Sequence, residues 1–218
     1  MNRGALIGAA GLLAFAGWWA YRYQGEAVTA PAARDWGSVV DWAESAAEAV
    51  IGGELRLSRM RDVTAAHVAH PNMQAMFRVI RAGEGTADAK GYQRIVGGGE
   101  FESFADHPRI VRSGTFANGV TWRSSAAGAY QFIVSTWDET ARIMGLSDFS
   151  PASQDRGAAG RIAARGALED VIAGRFDVAV GKLGREWASL PGSPYGQPVM
   201  TMAKAREVWA SAGGAAYA

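Results

Sequence analysis

The chain has 218 residues, 49% of them apolar, enough for one well-buried domain and an appendage. Its 22 basic and 21 acidic residues nearly cancel, so no global field argues for nucleic acid as a partner. The absence of cysteine excludes disulfides, thiolate nucleophiles and cysteine-based zinc sites; three scattered histidines (His67, His70, His107) make no metal site, and no cofactor is expected.

Gly4 to Tyr21 is an uncharged run of 18 residues between Arg3 and Arg22. As a helix it would span roughly 27 Å, close to the thickness of a bilayer's hydrocarbon core. Trp18, Trp19, Tyr21 and Tyr23 gather at one end, as an interfacial aromatic belt would. The run is mostly Gly and Ala, so insertion is favourable but weak. Residues 1–23 are therefore expected to form a transmembrane helix, with residues 4–21 in the membrane. It would be held stably, or as a signal-anchor that later leaves the bilayer. Val28-Thr29-Ala30 keeps a cleaved signal peptide open as a third reading. A buried core helix is disfavoured because no polar face breaks the run.

Residues 24–62 read as a linker that carries one amphipathic helix over about 36–51. That helix has Trp36, Val39, Val40, Ala43, Ala47, Val50 and Ile51 at helical spacing and ends at Gly52-Gly53. Residues 63–218 form the main domain. Asn72 is expected to cap a helix with Met73, Met76, Phe77 and Ile80 on one face, ended by Gly83 and Gly85. Strand-like fragments follow, at Gln93–Val96 and on both sides of an Asn118-Gly119 turn. After Gly128 the spacing predicts helices: one with Phe132, Ile133, Trp137, Ala141 and Met144, then 155–165 behind a Ser150-Pro151 start, 169–173, 177–189 and 201–212. Helices segregated around a small sheet make an α+β layout, mainly helical, with the irregular sheet as one wall of a cleft. Trp137, Trp209 and Trp187 read as core, and Trp187 could also border the cleft.

Glu84 stands between two glycines at the end of the first helix of this domain. Most glutamates in such places are solvated surface residues. Here the preceding helix is strongly apolar, so its end is expected to be buried. The C-terminal end of a helix also carries partial negative charge. Both effects raise a carboxyl pKa, which suits a general acid near neutral pH.

Seven blocks, from Gly83-Glu84-Gly85-Thr86 to Trp187-Ala188-Ser189-Leu190-Pro191-Gly192, occur in one order. Between them lie Tyr92–Gly98, Asp106-His107-Pro108-Arg109, Gly128-Ala129-Tyr130-Gln131-Phe132, Phe149–Asp155 and Arg165-Gly166-Ala167-Leu168. Together they resemble the phage lambda endolysin family, lysozyme-like lytic transglycosylases, over roughly residues 72–214. The resemblance implies a lysozyme-like fold and cleavage of the β-1,4 bond between MurNAc and GlcNAc in peptidoglycan glycan strands. The product would carry a 1,6-anhydro-MurNAc end. Glu84 matches the family's catalytic glutamate, first as acid to the glycosidic oxygen and then as base to the muramoyl 6-hydroxyl. The nucleophile is then already on the sugar, whereas an ordinary hydrolase needs a second carboxylate.

The second carboxylate of a T4-type lysozyme would fall about nine positions after the glutamate, with a threonine beyond. Those places hold Gln93 and Gly99, which favours transglycosylation over a muramidase hydrolase. Asp88, Glu100, Glu102 and Asp106 are the acidic residues nearby. Asp106 is the one to watch, unless it caps the turn before Pro108. By themselves Tyr130 and Gln131 read as an ordinary helix start; the resemblance implies that Ser125, Tyr130 and Gln131 line the saccharide site, with Asp106, Tyr195 and Gln197 as further saccharide contacts. Two roles fit this chemistry. One is a signal-anchor endolysin at the host inner membrane, with its catalytic domain in the periplasm. The other is a virion-associated enzyme for wall penetration, with virion proteins as partners. An inactive membrane-anchored wall-binding protein is the rival from another class.

Overall fold

The computed structural model describes residues 53–115, 121–194 and 199–215. The expected transmembrane helix and the amphipathic helix over 36–51 lie outside the described residues. The fold expectation is corrected accordingly. Among the described residues no helix is long and apolar enough to cross a membrane. What these residues form is a mainly helical arrangement with a small two-stranded sheet.

A helical stretch over 53–61 leads into α1 (Ala65–Ala69) and α2 (Pro71–Gly83). A 3-10 turn (Gly91–Gln93) and the strands β1 (Arg112–Thr115) and β2 (Thr121–Ser124) follow. Five helices complete the domain: α3 (Val134–Met144), α4 (Pro151–Ala164), α5 (Leu168–Ile172), α6 (Phe176–Leu183) and α7 (Met202–Ser211).

Helix α2 runs through the centre and packs on α1, α4, α5 and α7. Met73, Met76, Phe77 and Ile80 are buried as the spacing predicts, and Ala75 and Val79 are buried as well. Burial on most sides, rather than on one stripe, marks an interior helix. Each of the larger of these side chains, Ala75 apart, contributes about 1.5–3 kcal/mol when fully buried. The N-cap is His70, not Asn72: the His70 ring Nδ1 accepts from the Asn72 N–H (3.2 Å), and Pro71 occupies the first turn. Asn72 is instead wholly buried. Its amide donates to the carbonyls of Ile172 and Ala215 and accepts from the Ala215 N–H, tying α2 to α5 and to the chain's C-terminal end.

The core reaches back before α1. Met60 is fully buried and Val63 nearly so, both within the main apolar cluster. Trp137 and Trp209 are core, as their spacing predicts, and Trp187 is buried with its indole N–H donating to the Tyr130 carbonyl (3.2 Å).

Gln93–Val96 is not a strand. It comprises the end of the 3-10 turn and isolated bridges, Arg94 to Glu100 and Ile95 to Ala127. The hairpin ladder is antiparallel, from Arg112–Ser124 to Thr115–Thr121, with residues 116–120 outside the described set. Helix α6 stops at Leu183, six residues short of the expected end at 189. Glu186 N–H and Trp187 N–H turn back to the Leu183 carbonyl (2.8 and 3.0 Å), and the Glu186 side chain is drawn into buried ion pairs.

Candidate active site

Glu84 is the C-cap of α2, and its N–H still bonds the Ile80 carbonyl (2.9 Å). Gly85 then adopts a left-handed backbone (φ 70°), which glycine accepts without the penalty of a Cβ. The turn lets the Thr86 N–H reach the Arg81 carbonyl (2.8 Å). Thr86 is buried, and its hydroxyl donates to the Ala129 carbonyl (2.5 Å). The Arg81 guanidinium bonds the Thr86 and Asp88 carbonyls and lies 4.5 Å from the centroid of the Tyr92 ring. The residues around Glu84 are thus fixed by backbone and side-chain bonds on both sides.

The Glu84 side chain is partly buried, and the Ser189 hydroxyl donates to its Oε1 (2.7 Å). Burial raises its pKa from 4.5 to about 7, and the Ser189 hydrogen bond offsets part of that rise. Gly83 makes the contact feasible. A Cβ there would lie 2.7 Å from Ser189 Oγ and 3.2 Å from Ser189 Cβ. Ser189 was not among the expected site residues. Its only sequence signal is its place in the Trp187–Gly192 block, which identifies a block and assigns no role.

The other expected residues sit as follows. Ser125 accepts the Val134 N–H at the start of α3 (3.1 Å). Gln131 has a left-handed backbone (φ 50°), and its amide donates to the Gly128 carbonyl (2.9 Å). Tyr130 is buried: its hydroxyl donates to Asp155 Oδ1 (2.6 Å), where it meets the Tyr92 hydroxyl (2.8 Å). Burial and the Asp155 charge push the Tyr130 hydroxyl pKa well up. Burial likewise raises the Asp155 carboxyl, against the two hydroxyls that bond it. Tyr195 and Gln197 lie outside the described residues.

Asp106 is exposed and caps its turn. It accepts from the His107 N–H (2.7 Å) and pairs with Arg109 (2.9 Å), which also grips Asp138. Partial desolvation pushes its carboxyl up, but Arg109 and the His107 N–H hold it below the usual range. Asp88 pairs with Arg94, and Glu100 with Lys90. None of these carboxylates is joined to Glu84 by a hydrogen bond. Among the described residues no three His, Cys, Asp or Glu side chains gather as a metal-binding group.

This architecture is similar to that of the bacteriophage lambda lysozyme. The solved complex of that enzyme with a chitohexasaccharide superposes at a TM-score of 0.61 with 33% identity, over 67% of this chain and 97% of that one. A second structure of the lambda lysozyme gives 0.57 over the same shares. Fold and relatives define a lysozyme-like glycosidase that cleaves peptidoglycan. The Endolysin family model matches residues 74–216. The endolysin of Escherichia phage P2 is 38% identical over 156 residues, 66% of this chain and 94% of the relative. That of Escherichia phage lambda is 41% identical over 107 residues, 49% of this chain and 65% of the relative. The chain belongs to the Endolysin family, enzymes of phage-induced host lysis.

Proposed function

We propose that the chain cleaves glycan strands as a lytic transglycosylase with Glu84 as its acid and base. The protonated carboxyl gives its proton to the glycosidic oxygen between MurNAc and GlcNAc. The bond from that oxygen to C1 breaks, and GlcNAc leaves as the alcohol. The Glu84 carboxylate then takes the proton of the muramoyl 6-hydroxyl while O6 bonds to C1. A 1,6-anhydro ring forms, Glu84 is protonated again, and no water is consumed. Ser189 holds the carboxylate through the ionised interval.

The observation that carries this reading is the state of Glu84: one carboxyl at a half-buried helix end, bonded by the Ser189 hydroxyl, with a pKa raised to about 7 by desolvation. A group poised there can give and regain a proton at similar cost. Of the four acidic residues singled out after Glu84 in the sequence, Asp88, Glu100 and Asp106 are each engaged by an arginine or lysine, which supports it too. The chitohexasaccharide bound by the similar lambda lysozyme supports glycan strands as the ligand. Ser125, Gln131, Tyr195 and Gln197 remain the proposed saccharide contacts, while the buried Tyr130 hydroxyl is committed to Asp155.

The test is mass spectrometry of sacculi digested by the parent protein and by Glu84→Gln. The parent should release anhydro-muropeptides. The variant should be slower by about 10²–10⁴-fold, the usual contribution of a general acid. Reducing muramoyl ends without anhydro products would establish hydrolysis instead.

A further inference from the structure

Glu186 lies three residues before Ser189, and its carboxylate is held inside the protein. One oxygen accepts from Arg161 Nε (2.6 Å) and the other from Arg165 Nε (2.7 Å), with the Glu186 side chain 5% exposed. The Arg161 side chain is 1% exposed, and its Nη1 pairs with Glu139 (2.8 Å). Glu139 in turn takes Arg56 Nη2 on its other oxygen (2.8 Å). Arg165, Glu186, Arg161, Glu139 and Arg56 thus form one alternating series. It joins α4, the turn after α6, α3 and the helical stretch over 53–61. Burial pushes the Glu186 carboxyl up, but the charges and hydrogen bonds of both arginines outweigh it and hold it low. Arg161 keeps its charge against burial for the reciprocal reason.

Between Glu186 and Ser189 the chain has little freedom. The Trp187 indole bonds the Tyr130 carbonyl, the Leu190 N–H bonds the Trp187 carbonyl, and the Ser189 carbonyl accepts from Met200. Ser189 then meets Glu84 at 2.7 Å. A carboxylate gripped on both oxygens by planar guanidinium groups is fixed in position and orientation. A desolvated ion-pair series also tolerates the loss of one member poorly, since the partner is left charged and unpaired.

We propose that Glu186 is a positioning residue for Glu84. Clamped by Arg161 and Arg165, it fixes the turn that presents Ser189 to the Glu84 carboxylate. Arg56, ahead of the residues that match the family, closes the clamp through Glu139. This rests on the reading of Glu84 as the acid. It assigns a catalytic consequence to a helical stretch that lies outside the family region.

The experiment compares the full chain with Glu186→Gln, Arg56→Gln, Ser189→Ala and the Glu186→Gln/Ser189→Ala double variant. It measures kcat, KM and the pH dependence of anhydro-muropeptide release. Glu186→Gln should lower kcat about tenfold with KM little changed, because a slight misplacement of a reacting group is costly. Its alkaline limb should move upward as that of Ser189→Ala does, and the double variant should move no further than Ser189→Ala alone. Arg56→Gln sits on the partly exposed end and keeps the fold testable if Glu186→Gln does not fold. It should shift the limb in the same direction by a smaller amount, and not at all in a Ser189→Ala background. A wild-type limb in Glu186→Gln, or in Arg56→Gln where that variant must stand in, beside a shifted limb in Ser189→Ala, overturns the proposal and leaves the role of Glu84 intact. Full activity in Glu84→Gln overturns both.

Discussion

The Ser189 hydroxyl donates to Glu84 Oε1 across 2.7 Å of space and 105 residues of sequence. Glu84 ends the central helix, and Ser189 sits in the turn beyond α6. Burial alone would drive the carboxyl further up. The hydroxyl returns it to about 7, where it can act in both directions near neutral pH.

Removing that hydroxyl has a definite sign. In Ser189→Ala the carboxylate loses a donor, so its pKa rises. The acid form then persists to higher pH, and the alkaline limb of activity moves upward by roughly one unit, the worth of one hydrogen bond to a charged group. A rate–pH profile of anhydro product release reads this directly. A downward shift would show that Ser189 does not stabilise the ionised form.

Glu84→Gln should stabilise the fold in alkaline conditions. The folded carboxyl sits at about 7 against an ordinary glutamate value of 4.5, so between these the native state holds a proton that the unfolded chain releases. That stabilisation is full below the lower value and is lost as pH rises through the upper one. Ionising the buried group then costs on the order of 3 kcal/mol. The glutamine has no proton to lose. Urea denaturation near pH 8 should find the variant more stable by about 1–3 kcal/mol, and near pH 4 about equal to the parent.

Gly83→Ala separates catalysis from stability. The new Cβ would crowd Ser189 Oγ at 2.7 Å. The hydroxyl can swing away, Ser189 Cβ at 3.2 Å must give by a small shift, and alanine is the better helix former by roughly 0.5–1 kcal/mol, which offsets that crowding. Thermal unfolding should therefore change little. The pH–rate profile should shift as in Ser189→Ala, because the hydroxyl no longer reaches Glu84. An unchanged profile would mean that the turn moves as a unit and keeps the contact.

Met60→Ala tests whether the stretch before the family region belongs to the folded core. Met60 is fully buried in the main cluster. Truncation should cost about 2–5 kcal/mol, as for other core methionines. A change below about half a kcal/mol in urea denaturation would place Met60 on a detachable segment.

The pattern of apolar residues made α2 and most of α3 legible, because a repeat near 3.6 records which face is buried, although Phe132 and Ile133 lie ahead of α3 rather than on it. The Ser150-Pro151 start was legible for a local reason: Ser150 Oγ accepts the Ser153 N–H within the same turn. The end of α6 was not. It depends on Glu186 being pulled to Arg161 on α4 and to Arg165 at its C-cap. Gln93–Val96 has strand composition, but its partners are single bridges to Glu100 and Ala127. Tyr130 is buried whereas the adjacent Gln131 is only partly so, because the two sit in a turn with Gln131 in a left-handed backbone, which no periodicity records.

By itself the sequence determined that a carboxyl closes an apolar helix between two glycines, and that the blocks around it follow the order of one enzyme family. Those are local facts: spacing, capping and residue type. The tertiary structure decided what that carboxyl touches. Ser189 reaches Glu84 only because Gly83 leaves room, Met200 and Trp187 pin the turn, and Glu186 is held by arginines on another helix. A pKa is set by desolvation and by the groups within a few ångströms. Such neighbours are assembled by folding from segments far apart in the chain, and spacing along the sequence does not record them.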